Sequence, residues 1–177
     1  SKFGTSDDWL HTAKGSIGVA VLGKLLPYTG IFIVISMLGN AVFFGWMQNI
    51  PLNSLWVIQG VTILFIPATQ ALALFLYAIF PALSLIISVV SMVGSLGATL
   101  ASVTFPVAFM DSPVYVASYL FPIRHFIEVV DSLLYLDGTF TDYGMNIVLL
   151  LLFILLPLLL LPRLKHALIT HNYDAIE

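Results

Sequence analysis

Arg124, His125, Glu128 and Asp131 are the residues of this chain whose types and spacing could do chemistry. Arg124 and Glu128 stand at i, i+4 and can pair across one helical turn. An exposed pair of that kind contributes about 0.3–0.5 kcal/mol, too little to explain charge set so close to long apolar segments. His125 and Glu128, at i, i+3, could offer two metal ligands from one helix face. No third or fourth ligand accompanies them, so no metal is expected. The remaining reading is that all four line an outer exit and meet a polar or amphiphilic solute, since ionisable groups at a membrane usually mark a solute path. Other chemistry is poorly supported. There is no nucleophile elbow and no HExxH motif. The absence of cysteine excludes thiolate chemistry, disulfides and cysteine metal sites. The aromatic residues have no basic interleaving, so nothing points to nucleic acid.

Two short helical patterns must position these residues. The first, residues 112–121, opens at Asp111-Ser112-Pro113, with proline at the first helical position, and stops near Phe121-Pro122. The second, residues 122–136, ends at Asp137-Gly138, a turn signal. Ile123, Phe126, Ile127, Val130, Leu133 and Leu134 fall at helical spacing, and Arg124, Glu128, Asp131 and Tyr135 form a polar stripe on another face. A helix this two-faced does not span a bilayer; it lies at an interface or lines a wet cavity.

Around these two patterns the chain is apolar. Of its 177 residues 60% are hydrophobic and 8% charged, against about 25% charged in a soluble domain. Mean hydropathy is +1.06. Between Lys24 and Asp111 there is no Asp, Glu, Lys, Arg or His, which makes the chain an integral membrane protein. The net charge of −3 says little about partners.

Residues 1–24 are the polar region that precedes the membrane. Ser6-Asp7-Asp8 before Trp9-Leu10 reads as a capped helix start, with a weak point at Gly15 and Gly18. The bland reading is an interfacial helix, and the sharper one a docking helix for a soluble partner. Four spans follow within residues 25–163, at 25–47, 55–80, 83–105 and 145–161. Asn40 lies in the first, where an amide either packs against a neighbouring helix or lines a path. The second carries Pro67 and, one turn on, Gln70. The third has small-residue ridges, Gly94, Ala98 and Ser102 beside Ser91, Ser95 and Thr99, which predict close neighbours on two sides. The fourth reads as almost uniformly Leu and lipid-facing. Residues 164–177 form a polar tail. Five of the six Lys and Arg residues belong to the two ends, and Arg124 to a loop on the other side. The positive-inside rule then puts both termini in the cytoplasm. The expected class is an all-α membrane protein, with four transmembrane helices, an N-terminal cytoplasmic coupling-like helix and two broken helices on the outer face.

This order of parts resembles the permease of an ABC-type-2 exporter. Gly4-Thr5, Trp9-Leu10 and Gly23-Lys24-Leu25-Leu26-Pro27-Tyr28 resemble the family's coupling segment and the start of its third span. Tyr119-Leu120-Phe121-Pro122-Ile123-Arg124-His125-Phe126 resembles its YLFPLTHF-like segment before the last span. The resemblance implies that the four spans are the third to sixth of such a permease, so that sequence encoding two more is expected upstream of Ser1. It also implies a multi-pass protein of the bacterial inner membrane that pairs with a second permease, identical or paralogous, among membrane lipids. No GxxxxGK[ST] loop occurs in the chain. A separate cytoplasmic ABC ATPase would therefore bind the ATP, the chain itself needing no cofactor and being no enzyme. Asp8, Trp9, His11 and Thr12 would be the ATPase contact, carried over by position. Asn40, Gln70, Ser91 and Thr99 are the candidate path, and Arg124, His125, Glu128 and Asp131 the candidate outer gate. The implied function is outward movement of a drug, lipid or glycan-like substrate by alternating access. The alternatives are a non-transporting scaffold that recruits a cytoplasmic protein and an intramembrane enzyme using the polar outer helix.

Overall fold

The computed structural model describes residues 17–47, 50–80, 83–101, 109–135 and 138–160. Among them all regular structure is helical. In chain order the helices are α1 (Ile17–Asn40), α2 (Leu52–Ile79), α3 (Leu83–Leu100), α4 (Ser112–Ser118), α5 (Pro122–Tyr135) and α6 (Phe140–Leu155). A π-helical turn, Ala41–Met47, extends α1, and a 3-10 turn, Leu156–Leu159, extends α6.

Three stretches are long and apolar enough to cross a membrane: Gly18–Trp46, Leu52–Ile79 and Phe140–Leu159. The expected third span is shorter in the described residues, where its apolar stretch is Leu85–Leu100. Residues 102–108, into which that span was expected to continue, lie outside them. The coupling-like helix of residues 1–16 and the polar tail also lie outside. Three boundaries differ from the sequence reading. The first helix is already formed at Ile17, where the described residues begin, and runs unbroken through Gly18 and Lys24. A helical glycine costs only about 1 kcal/mol, and Val21 is held here in a small core with Ala78, flanked by Leu25 and Leu160. The second opens three residues earlier, at Leu52, and the last opens at Phe140 rather than 145. At that last start the Asp142 carboxylate accepts hydrogen bonds from the Thr139 N–H at 2.7 Å and hydroxyl at 2.8 Å, a capping box.

Helix α2 is the hub, packed by α1, α3, α5 and α6. Its contact with α6 and α5 forms the main core, where Val61, Ala68, Val129, Tyr143 and Leu150 are all buried. Its contact with α1 is fastened by polar groups. The Asn40 amide donates to Gln59 Oε1 at 2.9 Å and to the Thr62 hydroxyl at 3.0 Å. Gln59 in turn donates to the Ser36 hydroxyl at 3.4 Å. Farther along, the Thr29 hydroxyl donates to Gln70 Oε1 at 2.7 Å. Water cannot satisfy such groups in a bilayer core, so they fix one helix against the other. The outward side of α1 exposes Leu22, Leu26, Ile31, Phe32, Ile35 and Leu38, a surface suited to lipid and not to water.

Candidate functional site

The polar helix α5 does not lie on the outside of the bundle. Its first turn is inside. Phe126 stacks on Phe65, halfway along α2, with ring centroids 4.9 Å apart. His125 is fully buried and bonds Asn146 of α6 at 3.0 Å. Asn146 lies about 9 Å along α6 from Phe140, at 1.5 Å per residue. From there α5 leads back: Leu133 packs against the main core, and near the helix end the Ser132 carbonyl accepts from the Gly138 N–H at 3.0 Å, two residues before Phe140 opens α6. The helix therefore enters the bundle by its N-terminus and returns to the Phe140 end.

Glycine and proline make this possible. Tight backbone bonds close α4, from Leu120 N–H to Ala117 C=O and from Phe121 N–H to Ser118 C=O, both at 3.1 Å. Pro122 then opens α5, where a missing N–H costs nothing. The break lies against α3 at Gly97. A Cβ there would be 3.0 Å from the Phe121 ring and 3.4 Å from Ile123, so any larger residue would need those side chains to give way by a few tenths of an ångström. Below the break, a crevice of about 200 Å³ opens between α2 and α3, lined by Phe65, Leu72, Val93, Gly94, Phe121 and Ile123 among others.

The ionisable groups form a graded stripe. Arg124 is 3% exposed, Glu128 25% and Tyr135 76%, with Asp131 half-buried between the last two. Arg124 Nη2 donates to Glu128 Oε1. The sequence reading priced this pair as a surface contact; the structure buries its guanidinium. The Tyr115 and Tyr119 rings lie 5.5 and 5.6 Å from Arg124 Cζ, within cation–π range. Their hydroxyls bond each other at 2.7 Å. That bond, with burial and the nearby Glu128 carboxylate, holds the Tyr119 phenol above its ordinary value. Asp131 is also raised, first by burial and then by Glu128, with Arg124 opposing.

His125 pins the hairpin. Nε2 faces the Tyr119 backbone carbonyl at 3.1 Å and Nδ1 faces the Asn146 side chain at 3.0 Å. Since a backbone carbonyl only accepts, Nε2 donates to Tyr119, and a neutral ring then accepts at Nδ1 from the Asn146 amide nitrogen, the amide's oxygen and nitrogen being exchanged. Asn146, Gln59, Thr62, Tyr115 and Tyr119 were all missed as site residues by the sequence reading. Asn146 in particular contradicts the expectation of a last span without polar groups. Its signal was present: it falls on the same helical face as Leu150 and Phe153, which pack inward.

The other expected site residues are not brought together. Asn40 and Gln70 are both engaged in the α1–α2 contact. Ser91 and Thr99 lie on an exposed side of α3, the Thr99 hydroxyl bonding its own helix at Ser95 C=O, 2.9 Å away. Asp8, Trp9, His11 and Thr12 lie outside the described residues. Among the described residues no group of three or more His, Cys, Asp or Glu could hold a metal ion.

The family model described as ABC-2 family transporter protein matches residues 10–161. The chain belongs to that family. No curated protein and no solved structure matches it. As an ABC-2 family chain it is a membrane component of a transporter, and the match spans all six of the described α-helices.

Proposed function

We propose that this ABC-2 chain is the transmembrane permease of an ATP-driven exporter, moving a drug, lipid or glycan-like substrate outward. Family membership over residues 10–161 is the observation that carries the reading. In it the chain crosses the bacterial inner membrane four times, with both termini in the cytoplasm. A separate ABC ATPase docks on Asp8, Trp9, His11 and Thr12, and two permeases pair across the path. ATP-driven closure of the ATPases tilts the pair between inward- and outward-open states, and substrate must bind the two states with different affinity. The open side of α3, with Ser91 and Thr99, faces the path. Asn40 and Gln70 act on the path by holding α1 against α2, which is what their hydrogen bonds support. Arg124, His125, Glu128 and Asp131 form the outer gate.

The test is association. An ATPase is expected to co-purify with the full-length protein and to change its hydrolysis rate when joined to it. Trp9→Ala and Asp8→Ala are expected to weaken that association. Wild-type association in both variants would sink the docking assignment. Glu128→Ala is expected to lower export while the ATPase stays bound.

A further inference from the structure

Arg124 is paired through one nitrogen only. Nη2 meets Glu128, while Nε and Nη1 are both fully buried and have no hydrogen-bond partner. A guanidinium carries five N–H donors, and those two nitrogens hold three of them. Leaving a buried donor unpaired is costly, more so on a charged group. The surroundings add two tyrosine hydroxyls and, farther along the stripe, the Asp131 carboxylate, on which the guanidinium's charge acts. The Tyr115 and Tyr119 hydroxyls share one hydrogen bond, which uses one of their two O–H groups and leaves the other free to donate. Glu128, the carboxylate that Arg124 bonds, is itself 25% exposed and lies on the stripe that leads out past Asp131 to Tyr135, and the Tyr119 phenol oxygen is a second acceptor beside the guanidinium.

From this buried guanidinium with two unpaired nitrogens we infer that Arg124 is the binding site of an oxyanion, a carboxylate or phosphate group, for which Glu128 is the internal stand-in. The incoming group takes the planar guanidinium, to which both chemistries are geometrically matched. Glu128 swings outward along the exposed part of the stripe. Tyr115 and Tyr119 shield the pair and supply the free hydroxyl. The inference deepens the outer-gate reading and rests on it for the site, but binding needs neither ATPase nor transport.

The experiment uses the full-length protein in phosphatidylcholine nanodiscs without ATPase. Inorganic phosphate and acetate are titrated against chloride at matched ionic strength, following the thermal unfolding midpoint. A parallel series replaces part of the lipid with phosphatidylglycerol. A saturable rise is expected in at least one series: a rise with the soluble anions identifies a free oxyanion, and a rise confined to phosphatidylglycerol identifies a lipid headgroup. Glu128→Gln, which removes the internal competitor, is expected to lower the apparent Kd several-fold. Arg124→Lys keeps the charge and loses the fork, and is expected to raise it at least tenfold. No saturable rise in either series overturns the inference. So does a Glu128→Gln protein that binds no more tightly than wild type, or an Arg124→Lys protein that binds as well. A failed association test with an ATPase would leave this binding result standing, and a failure here would leave the exporter reading standing.

Discussion

His125 shows how much one side chain decides in this molecule. It is fully buried and joins three pieces of chain: the carbonyl that ends α4, its own helix, and Asn146 on α6. Removing either partner leaves the other unsatisfied in an apolar surrounding, at about 1–3 kcal/mol. His125→Ala and Asn146→Ala should each lower the unfolding midpoint. The double variant should cost less than the sum, by a coupling of about 1 kcal/mol read from a double-mutant cycle. A cycle with no coupling would mean that the contact is incidental. Both residues are plain in the sequence. Their meeting is not, because a histidine and an amide 21 positions apart carry no local mark of contact.

At the level of the helices, α5 is the element whose type was legible and whose place was not. Its boundaries follow from Pro122 and from the turn at Gly138. The Gly138 N–H reaches back to the Ser132 carbonyl at 3.0 Å, and a Cβ at Gly138 would lie 1.9 Å from Ser132 Oγ. Periodicity shows that such a helix has two unlike faces. It does not say which face meets protein, and near a bilayer the usual rule of apolar inside fails, since lipid accepts apolar side chains as readily as a core does. The approach of α5 to α3 depends on Gly97. Gly97→Leu should push the Phe121–Ile123 turn away from α3, lowering the unfolding midpoint and, in a coupled assay, export. Gly94→Ala, where an added Cβ meets no atom within 4 Å, should leave the midpoint nearly unchanged. Equal effects of the two would show that the close approach at Gly97 does not matter.

For the whole molecule the expected threading can be tested cleanly, because the chain has no cysteine of its own. Lys14→Cys and Tyr135→Cys are suitable single sites. Tyr135 is 76% exposed, whereas a thiol at Arg124 would be buried and silent. Impermeant reagent added outside intact cells should label Tyr135→Cys, and Lys14→Cys only after permeabilisation. Labelling of both from one face would overturn the topology and the gate with it. By itself the sequence determined the all-helical membrane class, three of the apolar segments and the pair of short helices broken at Pro122, because hydrophobicity and proline act locally along the chain. Only the tertiary structure decided that α5 turns into the bundle, that Asn40 and Gln70 face α2 and α1 respectively, and that Arg124 is enclosed by tyrosines. Each of those outcomes depends on which surfaces meet, and that is set by complementary shape and paired polar groups between segments far apart in sequence.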